Sequence, residues 1–379
     1  MKVAVILGTR PEIIKLSPII RELERQQITF FLLHTGQHYS YAMDRIFFDD
    51  LKLPAPRYNL ETGSASHGTQ TGYMLSAIEP ILEREEPDVV IVQGDTNSVL
   101  AGALAAVKLG IPVGHVEAGL RSLDRRMPEE YNRILTDHLS LLLFAPTEIA
   151  VQNLRDEGIG SKPFLTTRGR QQALIYNVGN SVVDATQQNI EIARQREADV
   201  LREFDLAAKQ YVLLTAHRAE NVDNPAFIAQ LSKLLAYVRQ QYHLPVVWPI
   251  HPRTAHQLEQ FRIKPPALLI EPQGYLEFLA LQANARLIIT DSGGVQEEAC
   301  VLGVPCVTIR KTTDRPETVA VGASRIGGTE LPDMKRAVDL MMCSNGRWPI
   351  PYVLNTSQTI VHLLRQMFSQ QSVEAAQAV

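Results

Sequence analysis

The chain has 379 residues, 45% of them hydrophobic, and a formal net charge of −4. That length exceeds one ordinary hydrophobic core and predicts two domains. The weak negative balance excludes a general attraction to nucleic acid or to an anionic membrane, so any anion must be held by a local site.

In chain order, "VAVIL" (3–7) predicts a buried strand, and "PEIIKLSPIIREL" a helix with Pro11 at its first position. "FFLLHT" (30–35) is a second strand, "TQTGYMLSAIEPILEREE" an amphipathic helix, and "DVVIVQ" (88–93) a third strand. "TNSVLAGALAAVKLG" reads as a helix ending at Gly110, and "PVGHVE" and "LLLFAP" as further strands. The pattern restarts with the strands "YVLLTA" (211–216), "PVVWPI" (245–250), "LLIEP" (268–272), "LIIT" (287–290) and "PCVTI" (305–309), with helices such as "AFIAQLSKLLAYVRQQY" between them. Nearly all-apolar strands alternating with helices imply parallel sheets covered on both faces. The expected class is α/β, with two Rossmann-like doubly wound parallel-sheet domains facing a cleft that holds the active site. The stretch "GSKPFLTTRGRQQALIYNVGN" (160–180), with Gly160, Pro163, Gly169 and the cations Lys162, Arg168 and Arg170, reads as the inter-domain connection. The expected domains are 1–172 and 173–357, and the Gln- and Ala-rich tail "SQQSVEAAQAV" is expected to fray.

Cys300, Cys306 and Cys343 form an odd set without a CxxC pair, which argues for small buried hydrophobes and against a disulfide framework or a zinc site. The apolar part of the N-terminus is too short for a signal peptide, and no apolar run approaches ~20 residues. The expectation is a soluble, reduced, cytoplasmic protein.

Ligands of open α/β sheets bind beyond the carboxyl ends of the strands, so polar residues in those loops carry functional weight. In "GTRPEIIK", Arg10 sits at a helix N-terminus that already favours anions, with Lys15 about a turn on; a capping salt bridge from Arg10 to Glu12 is the plainer alternative. In "QGDTNS", Asp95 is either a functional acid or a helix N-cap. In "GHVEAGLRS" and "MPEEYNR", Glu117, Glu129 and Glu130 form an acidic group that Arg121, Arg125, Arg126 and Arg133 could neutralise. His217 of "LLTAHRAEN" lies just past a strand end, and His251 of "PIHPR" has the same placement. In "LIITDSGGVQEEACVLGVPCVTI", the amides of Ser292, Gly293 and Gly294 can wrap an anion, and Glu298 can accept two hydrogen bonds from a ribose diol. One of Glu297 and Glu298 is expected to be a solvated helix face. Neither a GxGxxG nor a P-loop pattern is present, and no metal-ligand spacing occurs. These residues leave three classes open: a glycosyl-transferring enzyme, an enzyme rearranging a sugar nucleotide, and a non-catalytic sensor. The several carboxylates favour catalysis.

Taken together, "GTRPEIIKLSPII", "HTGQHYS", "QGDTNSVLAG", "HVEAGLRS", "MPEEYNR", "GNSVVDA", "HRAEN" and "TDSGGVQEEA" resemble the non-hydrolysing UDP-N-acetylglucosamine 2-epimerases, from residue 3 to about residue 328. The resemblance implies a fold like that of GT-B-type glycosyltransferases, with a C-terminal helix ("TIVHLLRQMF", about 358–370) crossing back onto the first domain. It implies reversible conversion of UDP-GlcNAc to UDP-ManNAc by elimination of UDP to 2-acetamidoglucal and re-addition, without a cofactor. Arg10, His217, Ser292, Gly293 and Gly294 match the cradle for departing UDP; Glu298 matches the ribose contact; Gln273 and Phe278 match the uracil surroundings; Arg315 matches a further nucleotide contact. Asp95, Glu117 and Glu129 match the catalytic acids, with Lys15 beside them, and which acid removes the C2 proton stays open. A homodimer is implied, and Gln37 and His38 match part of a site where some members bind a second UDP-GlcNAc as activator. The segment "NLETGSASHGTQTG" lacks an arginine that some members carry there, and the connection at 160–176 is longer than usual. The alternatives are a hydrolysing epimerase that releases ManNAc and UDP, and an epimerase of a 2,3-diacetamido-sugar uronate nucleotide.

Overall fold

The computed structural model describes residues 1–37, 41–166 and 169–377. It divides into two compact units, Met1–Ala185 with Tyr352–Val379, and Thr186–Pro351.

The first unit opens with β1 (Lys2–Leu7), α1 (Arg10–Arg25), β2 (Thr29–His34), α2 (Tyr41–Asp50), β3 (Tyr58–Asn59) and α3 (His67–Glu85). It continues with β4 (Val89–Gln93), α4 (Asn97–Lys108), β5 (Val113–Val116), α5 (Pro128–Leu139), β6 (Leu142–Ala145) and α6 (Glu148–Asp156). Three short strands follow, β7 (Phe164–Thr166), β8 (Gly169–Gln171) and β9 (Leu174–Asn177). Seven strands form one parallel sheet in the order β3-β2-β1-β4-β5-β6-β9, while β7 and β8 pair antiparallel. Successive side chains of a strand point to opposite faces. Ala4, Ile6, Val90 and Val92 accordingly meet Met74 and Ile78 of α3 and Val99 of α4 on one face. Val3, Val5 and Leu7 are as fully buried on the other, which is why these strands read as unbroken apolar runs.

The second unit begins within α7 (Ser181–Glu203) and contains β10 (Val212–Thr215), α8 (Ala219–Val222), α9 (Pro225–Tyr242), β11 (Val246–Pro249), α10 (Pro252–Gln260) and β12 (Leu268–Ile270). Then come α11 (Tyr275–Asn284), β13 (Leu287–Thr290), α12 (Gly293–Leu302), β14 (Cys306–Thr308), α13 (Pro316–Ala320), β15 (Ser324–Ile326) and α14 (Leu331–Met342). Its six-stranded parallel sheet has the order β12-β11-β10-β13-β14-β15. Val212 and Leu214 pack with Leu231 and Leu235 of α9, and Leu213 and Ile288 with Leu281 and Ala299 on the opposite face. Two doubly wound units in series are the composition expected of the GT-B-like class.

The segment 160–180 differs from its reading as a connection. It contributes the antiparallel pair β7 and β8 and then β9, whose residues Leu174 to Asn177 pair with Leu142 to Ala145 of β6 and complete the first sheet. The units therefore divide at 185/186 and 351/352, not at 172/173 and 357/358. The final helix, α15 (Thr356–Gln377), lies in the first unit and runs further than the expected 358–370. It buries Ile360, Val361 and Leu364, and Arg365 donates to Gln26 beside the end of α1 at 2.9 Å.

In both units the strand order reverses beside the first strand: β1 lies between β2 and β4, and β10 between β11 and β13. The loops after β1 and β4, and after β10 and β13, therefore flank a topological switch point, where open α/β sheets bind ligands.

Candidate active site

At the switch point of the first unit, β1 passes through Gly8 into α1. A Cβ on Gly8 would stand 1.9 Å from the Thr35 hydroxyl oxygen and 2.3 Å from that of Ser98, so only glycine fits. The buried carboxylate of Glu12 accepts from the amides of Gly8 (2.5 Å) and Thr9 (3.1 Å) and from the hydroxyl of Thr96. Glu12 thereby ties the loop after β1 to the loop after β4. Burial pushes its carboxyl up to about 7, against the three hydrogen bonds that favour the charged form. Glu12 thus serves backbone amides, and the Arg10 guanidinium lies over the Phe47 ring, 4.9 Å from its centroid.

Lys15 and Glu117 form a buried ion pair at 2.6 Å, and the Gln93 side-chain amide donates to the other oxygen of Glu117. Glu117 has φ of 70°, a left-handed conformation uncommon outside glycine. Strain of this kind persists where the surroundings over-determine it, and here two fixed partners hold the carboxylate. Asp95 pairs with Arg133 at 2.5 Å, while Asn132 donates to its backbone carbonyl at 2.9 Å. The N-cap of α4 is Thr96, whose hydroxyl accepts from Val99, so Asp95 does not serve as the helix cap.

Of the two acids in the first turn of α5, Glu130 is structural. It accepts from the amides of Ser122 and Leu123 at 3.0 Å and pairs with Arg133 at 2.9 Å. Burial opposes its charge, but these partners hold its carboxyl below the usual range. Glu129 is half-buried and has no hydrogen-bond or ion-pair partner among the described residues. Arg133 is the arginine that neutralises the acidic group; Arg126 pairs with Asp124, and Arg121 with Asp137 and Glu157. Gln37 is buried, and its side-chain oxygen accepts from the amide (3.1 Å) and hydroxyl (2.7 Å) of Ser98. His38 lies outside the described residues.

At the switch point of the second unit, Ser292 caps α12, and Gly293 and Gly294 form its first turn. Their small size leaves the helix N-terminus open: a Cβ on Gly294 would meet nothing closer than 3.9 Å. His217, half-exposed, follows β10, and its Nδ1 lies 3.3 Å from an oxygen of the fully buried Asp291. Both glutamates of α12 are buried, which corrects the expectation that one of them faces solvent. Glu297 is paired with Arg315, and Glu298 accepts from the Gln282 amide at 2.6 Å. A buried carboxylate needs such a partner, and the sequence spacing did not reveal either one. Arg315 is itself buried between Glu297 and Asp314, and Asp314 pairs with Arg310 at 2.9 Å. Gln273 bonds the carbonyl of Glu271 at 2.8 Å, and Phe278 is half-buried against the core that contains Leu281. Among the described residues no group of three or more His, Cys, Asp or Glu is gathered to hold a metal.

The family model for UDP-N-acetylglucosamine 2-epimerase matches residues 21–365. The chain belongs to this epimerase family. A UDP-N-acetylglucosamine 2-epimerase of Methanocaldococcus jannaschii is 52% identical over 360 residues, 93% of this chain and 95% of the relative. The solved structure of the epimerase from that organism, in complex with UDP-GlcNAc and UDP, matches with a TM-score of 0.87 at 51% identity, covering 97% of this chain and all of that one. UDP-2,3-diacetamido-2,3-dideoxy-D-glucuronate 2-epimerase of Pseudomonas aeruginosa is 43% identical over 330 residues, 86% of this chain and 88% of the relative.

Within this epimerase scaffold the structure adds residues that the sequence reading did not single out for the site. The buried imidazole of His115 faces Asp137 at 2.7 Å through Nδ1 and the carbonyl of Gly94 at 2.8 Å through Nε2. The other oxygen of Asp137 accepts from the Gly119 amide at 3.0 Å and pairs with Arg121 at 2.7 Å. Burial opposes charge on Asp137, yet His115 and Arg121 hold its carboxyl low. One histidine–aspartate pair thus clamps the turn before Asp95 to the turn after Glu117. A Cβ on Gly119 would stand 2.2 Å from the carbonyl of Ala150, so that turn also presses against α6. His115 lies in the quoted "GHVEAGLRS", but its partner is on α5, and a pair so distant in sequence leaves no spacing signal. Cys300 and Cys306 are buried thiols pushed up to about 12 by burial, and Cys343 is exposed.

Proposed function

We propose that the chain reversibly inverts C2 of UDP-GlcNAc to give UDP-ManNAc, with the nucleotide retained in the product. The observation that carries this reading is the half-identical relative solved with UDP-GlcNAc and UDP over nearly the whole chain. The residues supply the two tools the chemistry needs. The proton at C2 has no neighbouring carbonyl to acidify it, so the C1–O bond to UDP must first weaken. The bonding pair leaves with the β-phosphate oxygen, C2 gives its proton to a carboxylate, and a C1=C2 double bond forms in 2-acetamidoglucal. In the return step a proton reaches the opposite face of C2 and the UDP oxygen re-attacks C1.

Departing UDP is stabilised by the amides of Ser292, Gly293 and Gly294 at the start of α12, with Arg10 and His217. Glu298 takes the ribose, Gln273 and Phe278 flank the uracil, and Arg315 fixes the loop beside them. Asp95, Glu117 and Glu129 are the acid/base set, with Lys15 orienting Glu117. Clustered carboxylates titrate jointly, so the acid and base roles belong to the set. The same reading carries a homodimer, a cytoplasmic location and a second UDP-GlcNAc acting as activator near Gln37 and His38. No helix among the described residues is long and apolar enough to cross a membrane.

A second reading rests on the 43% identical relative named for a 2,3-diacetamido uronate nucleotide. It uses the same C2 chemistry on a different sugar. The test is incubation with UDP-GlcNAc, anion-exchange separation, and identification of each product by mass and proton spectrum. UDP-ManNAc in equilibrium with UDP-GlcNAc is the expected result. Free ManNAc with UDP would mark a hydrolysing enzyme. An inert UDP-GlcNAc with turnover of the diacetamido uronate would favour the second reading.

A further inference from the structure

We infer that Asp291 is a positioning residue that sets the tautomer and aim of the His217 imidazole. This deepens the proposed function, because it rests on His217 acting at the departing UDP.

Asp291 directly follows β13 and is fully buried. Since β10 and β13 are adjacent parallel strands, the loop that carries His217 runs beside it. The Asp291 carboxylate accepts from the backbone amides of His217 (3.1 and 3.2 Å) and Arg218 (3.0 Å) and from the side-chain amide of Asn221 (3.1 Å). Its backbone carbonyl takes the Arg218 guanidinium at 2.9 Å. These bonds fix the loop. The ring contact adds something they do not, since Nδ1 of His217 lies 3.3 Å from the same carboxylate. An ionised carboxylate only accepts, so it favours the proton on Nδ1. That leaves Nε2, on the opposite edge of a half-exposed ring, as the atom that meets a ligand. When neutral it offers a lone pair; when protonated it donates to an anion. The other ring nearby, His251, has its centroid 6.5 Å away, and its Nδ1 accepts from Arg253. It therefore does not compete for Nδ1 of His217.

A carboxylate that merely tied the loop could be replaced by an amide, whose oxygen still accepts from backbone N–H groups. A carboxylate that sets a tautomer could not, because the amide nitrogen would face Nδ1 as a donor and move the ring proton to Nε2. In the serine-protease triad the same exchange keeps the geometry and lowers kcat by about 10⁴-fold through the wrong tautomer.

The experiment is nitrogen NMR of the full chain with labelled histidine, recorded where imidazole is neutral, with the His217 signal assigned by His217→Gln. The expected result is a proton on Nδ1 in the unmodified chain and on Nε2 in Asp291→Asn. Turnover of Asp291→Asn should fall on the order of 10²-fold with KM little changed. Asn221→Ala, which removes one donor from Asp291 without touching the ring, should leave tautomer and turnover close to those of the unmodified chain. A neutral His217 with its proton on Nε2 in the unmodified chain overturns the inference, even if Asp291→Asn does not fold. So does an Asp291→Asn protein that keeps both tautomer and turnover. An unmodified chain that binds UDP but turns over no sugar nucleotide would instead sink the proposed function and leave the tautomer result standing.

Discussion

At the switch point of the first unit each acid has a side-chain partner: Lys15 with Glu117 at 2.6 Å, Arg133 with Asp95 at 2.5 Å, and the His115 ring with Asp137 at 2.7 Å. At that of the second, the ion pair of Glu297 with Arg315 is buried within the fold, and the helix opens through Ser292, Gly293 and Gly294, where a Cβ on Gly294 would meet nothing closer than 3.9 Å. Both sites grow from the same topology, a parallel sheet reversing beside its first strand. The difference fits the roles proposed for the loops. The proton transfer proposed there would need carboxylates held in one geometry, which Lys15 and Arg133 provide for Glu117 and Asp95. The phosphate contact proposed at α12 would need donors that carry no counter-charge, which a helix N-terminus supplies.

Substitutions can disable either switch point separately. The largest effect is expected from Asp95→Asn, which should lower turnover by at least ~10³-fold while UDP binds as before. Calorimetry beside steady-state rates checks it, and parallel losses of binding and turnover would assign Asp95 to structure. Next, Lys15→Met removes the cation buried against Glu117 and should destabilise the chain by about 3–5 kcal/mol in a denaturant titration. Adding Glu117→Gln should restore most of that stability but none of the turnover; a double variant as unstable as the single one would contradict the pairing argument.

Glu12 gives the pH dependence. Its carboxyl is raised from 4.5 to about 7 in the folded chain, so between those values the folded state binds more protons than the unfolded state. Stability must then fall as pH rises from about 4.5 to about 7, by on the order of 3 kcal/mol, with the loss complete above 7. Glu12→Gln should flatten that slope, and equal slopes in the two proteins would remove Glu12 as its source. The smallest effect belongs to the second unit: Glu298→Ala should weaken UDP binding by about 1–3 kcal/mol and lower kcat less than it raises the dissociation constant. Unchanged affinity in a calorimeter would take Glu298 out of the ribose site.

What could be read from the chain followed from local pattern. The strands at 3–7, 88–93, 211–216 and 287–290 are nearly all apolar because both of their faces are covered, and glycines or polar residues mark the loops that follow. Those loops hold Arg10, Asp95, His217 and Ser292. Long-range pairing was hidden. β9 is a short edge strand with half-exposed residues, so Leu174 to Asn177 looked like linker until β6 was beside them. Glu297 looked solvated because Arg315, which neutralises it, comes from a different loop. Asp291, Gln282 and Asp137 each act through a partner distant in sequence, and neither periodicity nor spacing records such a pair.

In the proposed reaction the acids of the first unit move a proton at C2 while UDP leaves and returns. Proton NMR of the chain with UDP-GlcNAc in D2O tests it most directly. Deuterium is expected at C2 of UDP-ManNAc, and with time at C2 of the recovered UDP-GlcNAc, and none in either sugar with Asp95→Asn. An epimer that forms with its C2 proton retained would contradict it.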